Sequence, residues 1–224
     1  MKKIFLIFSL FLSSSITLAQ NSDTDLNIFE PTNQSKQVLA KKEPNKSPLT
    51  PDKEQVLNEL LSRSSYQDFF NTIKTYAIKD DDYIKYLLSK SDQGHVPLYW
   101  LISDYYAKKM DPKETHKWLY ISIIMTQQDS YLCYDTTARN APRILLRSFP
   151  DAVEITRKTP QHIQQVMGDV FFFIYNLKQR ITPDWACKYG QSGVVSNNSS
   201  ILPKSEWNTK RQEILKRFSD KYMN

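Results

Sequence analysis

An all-α single domain, built from antiparallel helical hairpins in a repeat-like way and preceded by a flexible N-terminal leader, is what this 224-residue sequence predicts. Three observations predict it. Apolar residues recur at helical spacing of three and four from residue 51 onward. X-Pro steps stand just ahead of these series at Thr50-Pro51, Val96-Pro97, Asp111-Pro112 and Thr159-Pro160, where a first helical turn tolerates proline. No alternating apolar run is long enough to mark a strand.

Residues 1–19 have the form of a cleavable export signal, with Lys2 and Lys3, an apolar run from Ile4 to Leu12 and the small-residue stretch Thr17-Leu18-Ala19. That run is short of the roughly 20 residues a membrane span needs, so no stable span is expected. Cleavage is predicted after Ala19, with the periplasm as destination. Residues 20–50 are rich in Asn, Ser, Thr, Lys and Pro and predict a flexible leader. The helical domain spans 51–224. Val56, Leu57, Leu60 and Leu61 predict a helix over 51–63; Phe69, Phe70, Ile73, Tyr76 and Ala77 predict a second, and Tyr83, Ile84, Leu87 and Leu88 a third after Asp80-Asp81-Asp82. Contiguous acids ahead of an apolar series suit a helix N-terminus through the dipole.

The clearest pair follows. Val96-Pro97 opens a segment through Ala107, and Asp111-Pro112 opens one through Ile124. A joint of a few residues between two amphipathic helices makes an antiparallel hairpin. A helix around Ala138–Arg147, another after Asp151, and a long buried one from Thr159-Pro160 to Leu177 come next. Residues 181–203 lose periodicity and predict an irregular loop, and Trp207, Ile214, Leu215 and Phe218 predict a last helix from Ser205.

Composition excludes several functions. Four glycines and no G-x-x-x-x-G-K-[ST] string make a phosphate cradle improbable on motif grounds. The formal charge is +6; loss of residues 1–19 removes two lysines and no acid and leaves +4. Those charges are interspersed, which argues against nucleic acid as a partner. Cys133 and Cys187 are the two cysteines, and an even count in an exported chain favours one disulfide between them. His95, His116 and His162 lack ligand spacing, so neither metal nor cofactor is expected.

Chemistry-bearing motifs are sparse. Gly190-Gln191-Ser192-Gly193 breaks the G-x-S-x-G pattern of a nucleophile elbow. Glu114 with Asp104 or Asp129 allows a carboxylate pair, without anything that singles one out. Asp135 sits two residues after Cys133, where its carboxylate either fixes the loop by accepting backbone N–H groups or is presented to a cationic partner. Tyr99 and Tyr106 are seven residues apart, share one helical face and are candidate interface anchors.

The stretch Trp100–Ile124 resembles a tetratricopeptide-like repeat of the SEL type. Leu101 and Tyr105 take the first-helix positions, Asp111 opens the second helix and Trp118 supplies the aromatic that packs between the two. The repeat's glycines are absent, and Thr115 replaces its small Ala. Across residues 96–193, the hairpin followed by Cys133-Tyr134-Asp135-Thr136-Thr137-Ala138 and Pro183-Asp184-Trp185 also resembles periplasmic immunity proteins encoded beside type VI secretion effectors. That resemblance implies a stoichiometric, non-enzymatic binder that blocks a secreted toxin; occlusion of the toxin's active site is the expected mechanism, and Tyr99, Tyr106 and Asp135, read from their spacing and position, are the candidate contacts. The rivals are an envelope hydrolase acting through carboxylates and an envelope-assembly adaptor.

Overall fold

The computed structural model describes residues 49–62, 66, 68, 69, 72, 80–196 and 200–223, all within one unit, Lys42–Asn224. The export signal at 1–19, nearly all of the leader and most of the second expected helix lie outside the described residues; Tyr66, Asp68, Phe69 and Thr72 are helical. The fold is all-α. Helix α1 spans Pro51–Ser62, α2 Asp80–Ser89, α3 Val96–Lys108, α4 Pro112–Ser130, α5 Ala141–Ser148, α6 Pro150–Lys158, α7 His162–Asn176, α8 Asp184–Cys187, α9 Gln191–Ser196 and α10 Lys204–Tyr222. Short 3-10 turns cover Ser91–Gln93 and Thr136–Asn140. Among the described residues the only extended pairing is an isolated antiparallel bridge between Cys133 and Ile201.

The predicted hairpin forms. Asp111 caps α4, its carboxylate accepting from the Glu114 amide at 3.0 Å, while Pro112 occupies the first turn. Met110 completes the joint at a φ of 56°. Ser103 donates to the Thr115 carbonyl at 3.2 Å and Trp100 Nε1 to the Thr126 hydroxyl at 3.0 Å. Partners therefore diverge in number along the two helices, as antiparallel packing requires.

Helix α4 is the central element. Its 19 residues bury side chains on every side, from Thr115 to Ser130, and it packs against α3, α5, α6, α7, α8 and α10. The sequence predicts the long buried helix over 159–177, but α7 has 15 residues and covers only one flank of α4. The reason lies in composition: beside its buried apolar residues α4 hides Ser122, Thr126, Gln128, Asp129 and Ser130, so its apolar series marks only part of the surface it buries. Its hydroxyls are satisfied locally, as with Ser122 to the Trp118 carbonyl at 2.7 Å.

Residues 181–203 are not wholly irregular, because α8 and α9 form within them. One-turn helices have too few residues to show a periodicity. Gly94 has a φ of 73°, and a Cβ there would stand 2.3 Å from the Gln179 carbonyl oxygen, so the chain after α7 crosses directly over this glycine.

Trp118 lies between α3 and α7, with its ring 5.8 Å from Tyr99 and 5.4 Å from Phe173 by centroids. Its Nε1 donates to Glu114 at 3.1 Å. Replacing it by Ala is expected to cost about 3–5 kcal/mol, read from the urea midpoint of the full domain. A loss below about 1 kcal/mol would contradict its place in the core.

Candidate functional site

Two loops meet at one end of α4, and a set of long-range contacts fixes them there. Asp129, fully buried in the last turn of α4, accepts from Arg180 at 2.7 Å, Arg211 at 3.0 Å and Trp185 Nε1 at 3.0 Å. Arg180 also donates to Gln128 at 2.6 Å, and Gln128 donates onward to the Arg211 carbonyl at 2.8 Å. One carboxylate thereby ties α4 to the segment after α7, to α8 and to α10. Burial lowers the Arg180 pKa, and the neighbouring Asp129 charge opposes that shift.

Cys187 ends α8, two residues beyond Trp185. It is bonded to Cys133 with sulfurs 2.06 Å apart and Cα atoms 5.4 Å apart, joining positions 54 residues apart in sequence. Closing a loop of that size contributes on the order of 4 kcal/mol by restricting the unfolded chain. Adjacent backbone bonds extend the join: the Leu202 amide donates to the Leu132 carbonyl at 2.8 Å and the Tyr134 amide to the Ser200 carbonyl at 3.1 Å.

Asp135 is the third tie. Its carboxylate accepts from the Thr137 amide at 2.9 Å, the Thr137 hydroxyl at 2.6 Å and the Ser192 amide at 2.8 Å, while the Thr137 hydroxyl accepts from the Gln191 amide at 2.8 Å. Asp135 therefore caps the 3-10 turn at Thr136–Asn140 and pins the start of α9 to it. Gly190 makes room, since a Cβ there would lie 2.6 Å from Asp135 Oδ2. Three internal donors thus engage the carboxylate, so Asp135 takes the loop-fixing role.

Tyr99 as an interface anchor is corrected. Tyr99 is fully buried, its hydroxyl donates to the Ser91 carbonyl at 2.7 Å, and its ring meets Phe173 at 5.5 Å. Helix α3 is enclosed by α2, α4 and α6, so Tyr99 and Trp100 are both interior. Tyr106 is partly buried and packs edge-on against Tyr105 at 5.3 Å. The seven-residue spacing describes a common face correctly, but packing on three sides turns that face inward.

Two other side chains stand out on the joined loops. Tyr134 is 59% exposed and Val194 75% exposed. Tyr134 adjoins Cys133 and Asp135, while Val194 lies two residues after Ser192. Sequence reasoning singled out Asp135 and passed over its neighbour. The available signal was a large aromatic between a bridged cysteine and a turn-capping aspartate, outside any helical series.

The remaining candidates are accounted for locally. Glu114 accepts from Lys117 at 2.8 Å and from Trp118, Asp104 pairs with Lys108 at 2.7 Å, and Asp129 is sealed beneath its two arginines. A carboxylate pair that includes Asp129 has no access to a substrate. The Ser192 amide serves Asp135. His95 is buried against the Tyr66 hydroxyl at 3.1 Å, and burial first, then the charge of Lys90, lowers its pKa to about 4. Among the described residues no three His, Cys, Asp or Glu side chains converge as a metal site, and no helix is long and apolar enough to cross a membrane.

The Asp135 tie titrates. The Thr137 hydroxyl, followed by the Ser192 and Thr137 amides, holds its pKa at about 2 against an ordinary 3.8. A carboxyl lowered by folding contributes stability above its unfolded pKa and loses it as pH falls through the folded one. The Thr137 and Ser192 amide resonances are therefore expected to hold their positions down to about pH 3 and to shift with a midpoint near pH 2, while Asp135→Asn removes that step. A wild-type midpoint at the ordinary 3.8 would contradict the tie.

Comparison with protein-family models, with curated proteins and with solved structures finds no match to this chain.

Proposed function

We propose that the chain is an exported protein-binding module whose docking surface is the joined loop pair at 133–140 and 187–196. The observation that carries this is the exposure of Tyr134 on a frame held by a disulfide, a buried ion cluster and a carboxylate clamp. Exposed tyrosines on rigid supports bind at low ordering cost and are frequent hot spots. Export agrees with the amino-terminal pattern of residues 1–19 and with a cysteine pair positioned for oxidation. The resemblance to periplasmic immunity proteins supplies the expected partner, a secreted toxic enzyme. It also supplies the mechanism, occlusion of the active site without turnover.

The chain expressed from Gln20 is the bait, and a protein that co-purifies in stoichiometric amount from periplasmic extract is then titrated in purified form. Tyr134→Ala is expected to weaken that complex by about 2 kcal/mol, roughly thirtyfold. Tyr175→Ala, which removes an equally exposed tyrosine on α7, is expected to leave it unchanged. Loss of the partner's enzymatic activity at one equivalent supports occlusion. Equal affinities for wild type and Tyr134→Ala would overturn the assigned surface, and undiminished activity in the saturated complex would overturn occlusion.

A further inference from the structure

The loop pair and the adjoining α5 carry mostly positive charge, with Asp151 and Asp184 at their borders. From Ser130 to Pro150 the sole acid is Asp135, engaged by Thr137 and Ser192, whereas Arg139, Arg143 and Arg147 are all exposed. From Trp185 to Pro203 there is no acid, and Lys188 is exposed. The three arginines recur every four residues along the 3-10 turn and α5, which sets Arg143 and Arg147 on one face. That face is the outward one, because Ala141, Pro142 and Leu145 are buried on the other. Neither Arg143 nor Arg147 has an ion-pair partner among the described residues, in contrast to Arg157 and Lys158 on α6, which share Glu154 at 2.8 and 3.0 Å. Arg139 and Arg217 both lie over the Tyr131 ring, at 4.4 and 5.7 Å, so the positive surface continues onto α10.

Resting on the docking surface proposed above, we infer that its partner is a protein presenting an acidic face to Arg139, Arg143 and Arg147, with an apolar spot for Tyr134 and Val194. The mixture selects protein over other polyanions. Val194, together with Ile144 at 37% exposure, offers aliphatic area that a phosphate backbone has no use for, while arginine and tyrosine together are typical of protein interfaces. Unpaired arginines at the rim would steer association, which makes the on-rate salt-dependent.

The probe is a fluorescein-labelled poly-L-glutamate peptide, followed by anisotropy against the full chain. The variants are Arg143→Glu/Arg147→Glu and Lys85→Glu/Lys113→Glu, which change net charge equally but in different places. Lys113 lies at the opposite end of α4, about 27 Å along the helix axis from Tyr131. The arginine pair is expected to account for at least about a tenfold loss of affinity, and the lysine pair for less than about twofold. Equal losses in the two variants, no binding at all, or tighter binding to a single-stranded oligonucleotide or to phosphatidylglycerol vesicles would overturn the acidic-protein inference. None of those results bears on Tyr134, whose titration with the purified partner fails or succeeds independently.

Discussion

Asp129 is the constraint on which the rest of this structure depends. A carboxylate with no solvent access must be compensated, and here two guanidinium groups and an indole N–H do so from three separate segments. A buried ion cluster of this kind contributes little net stability relative to an apolar replacement. Its effect is to make one arrangement of the segments satisfactory and the alternatives costly, since displacing the segment after α7 or α10 takes a guanidinium from Asp129 and displacing α8 takes its indole donor. The end of α4 thereby determines where the chain after α7 and the last helix must lie.

From that point the order extends outward in short steps. Trp185 reaches Asp129, Cys187 follows on the same turn, and the disulfide carries the constraint across to Cys133. Asp135 then fastens the two loops near their tips through hydrogen bonds that ionisation strengthens. Loops are ordinarily the mobile parts of a helical protein. These are held by an ion cluster, a covalent bond and a charged cap, so a tyrosine displayed on them loses little further freedom on binding.

Much of the helical framework was legible in the sequence, because X-Pro steps and helix-period apolar series are local signals. The starts of α1, α3 and α4 follow from Thr50-Pro51, Val96-Pro97 and Asp111-Pro112. Two features were illegible for physical reasons. The central role of α4 rests on buried serine, threonine and aspartate, which read as surface until their partners are known. The partners of Asp129 lie 51, 56 and 82 residues away in sequence, beyond any pattern of spacing. The cysteine pair was legible from its count, and the loop-fixing role of Asp135 from its place after Cys133. Tyr99 was misplaced because spacing identifies a face without saying how many neighbours cover it.

Hydrogen exchange of Asp129→Asn against the wild type, followed residue by residue, tests the central claim most directly. If one carboxylate organises the loop pair and the last helix, exchange accelerates in 133–140, 180–196 and 204–222, while the α3–α4 hairpin retains its protection. Protection unchanged in all of these segments, or lost equally across the whole domain, would contradict the account.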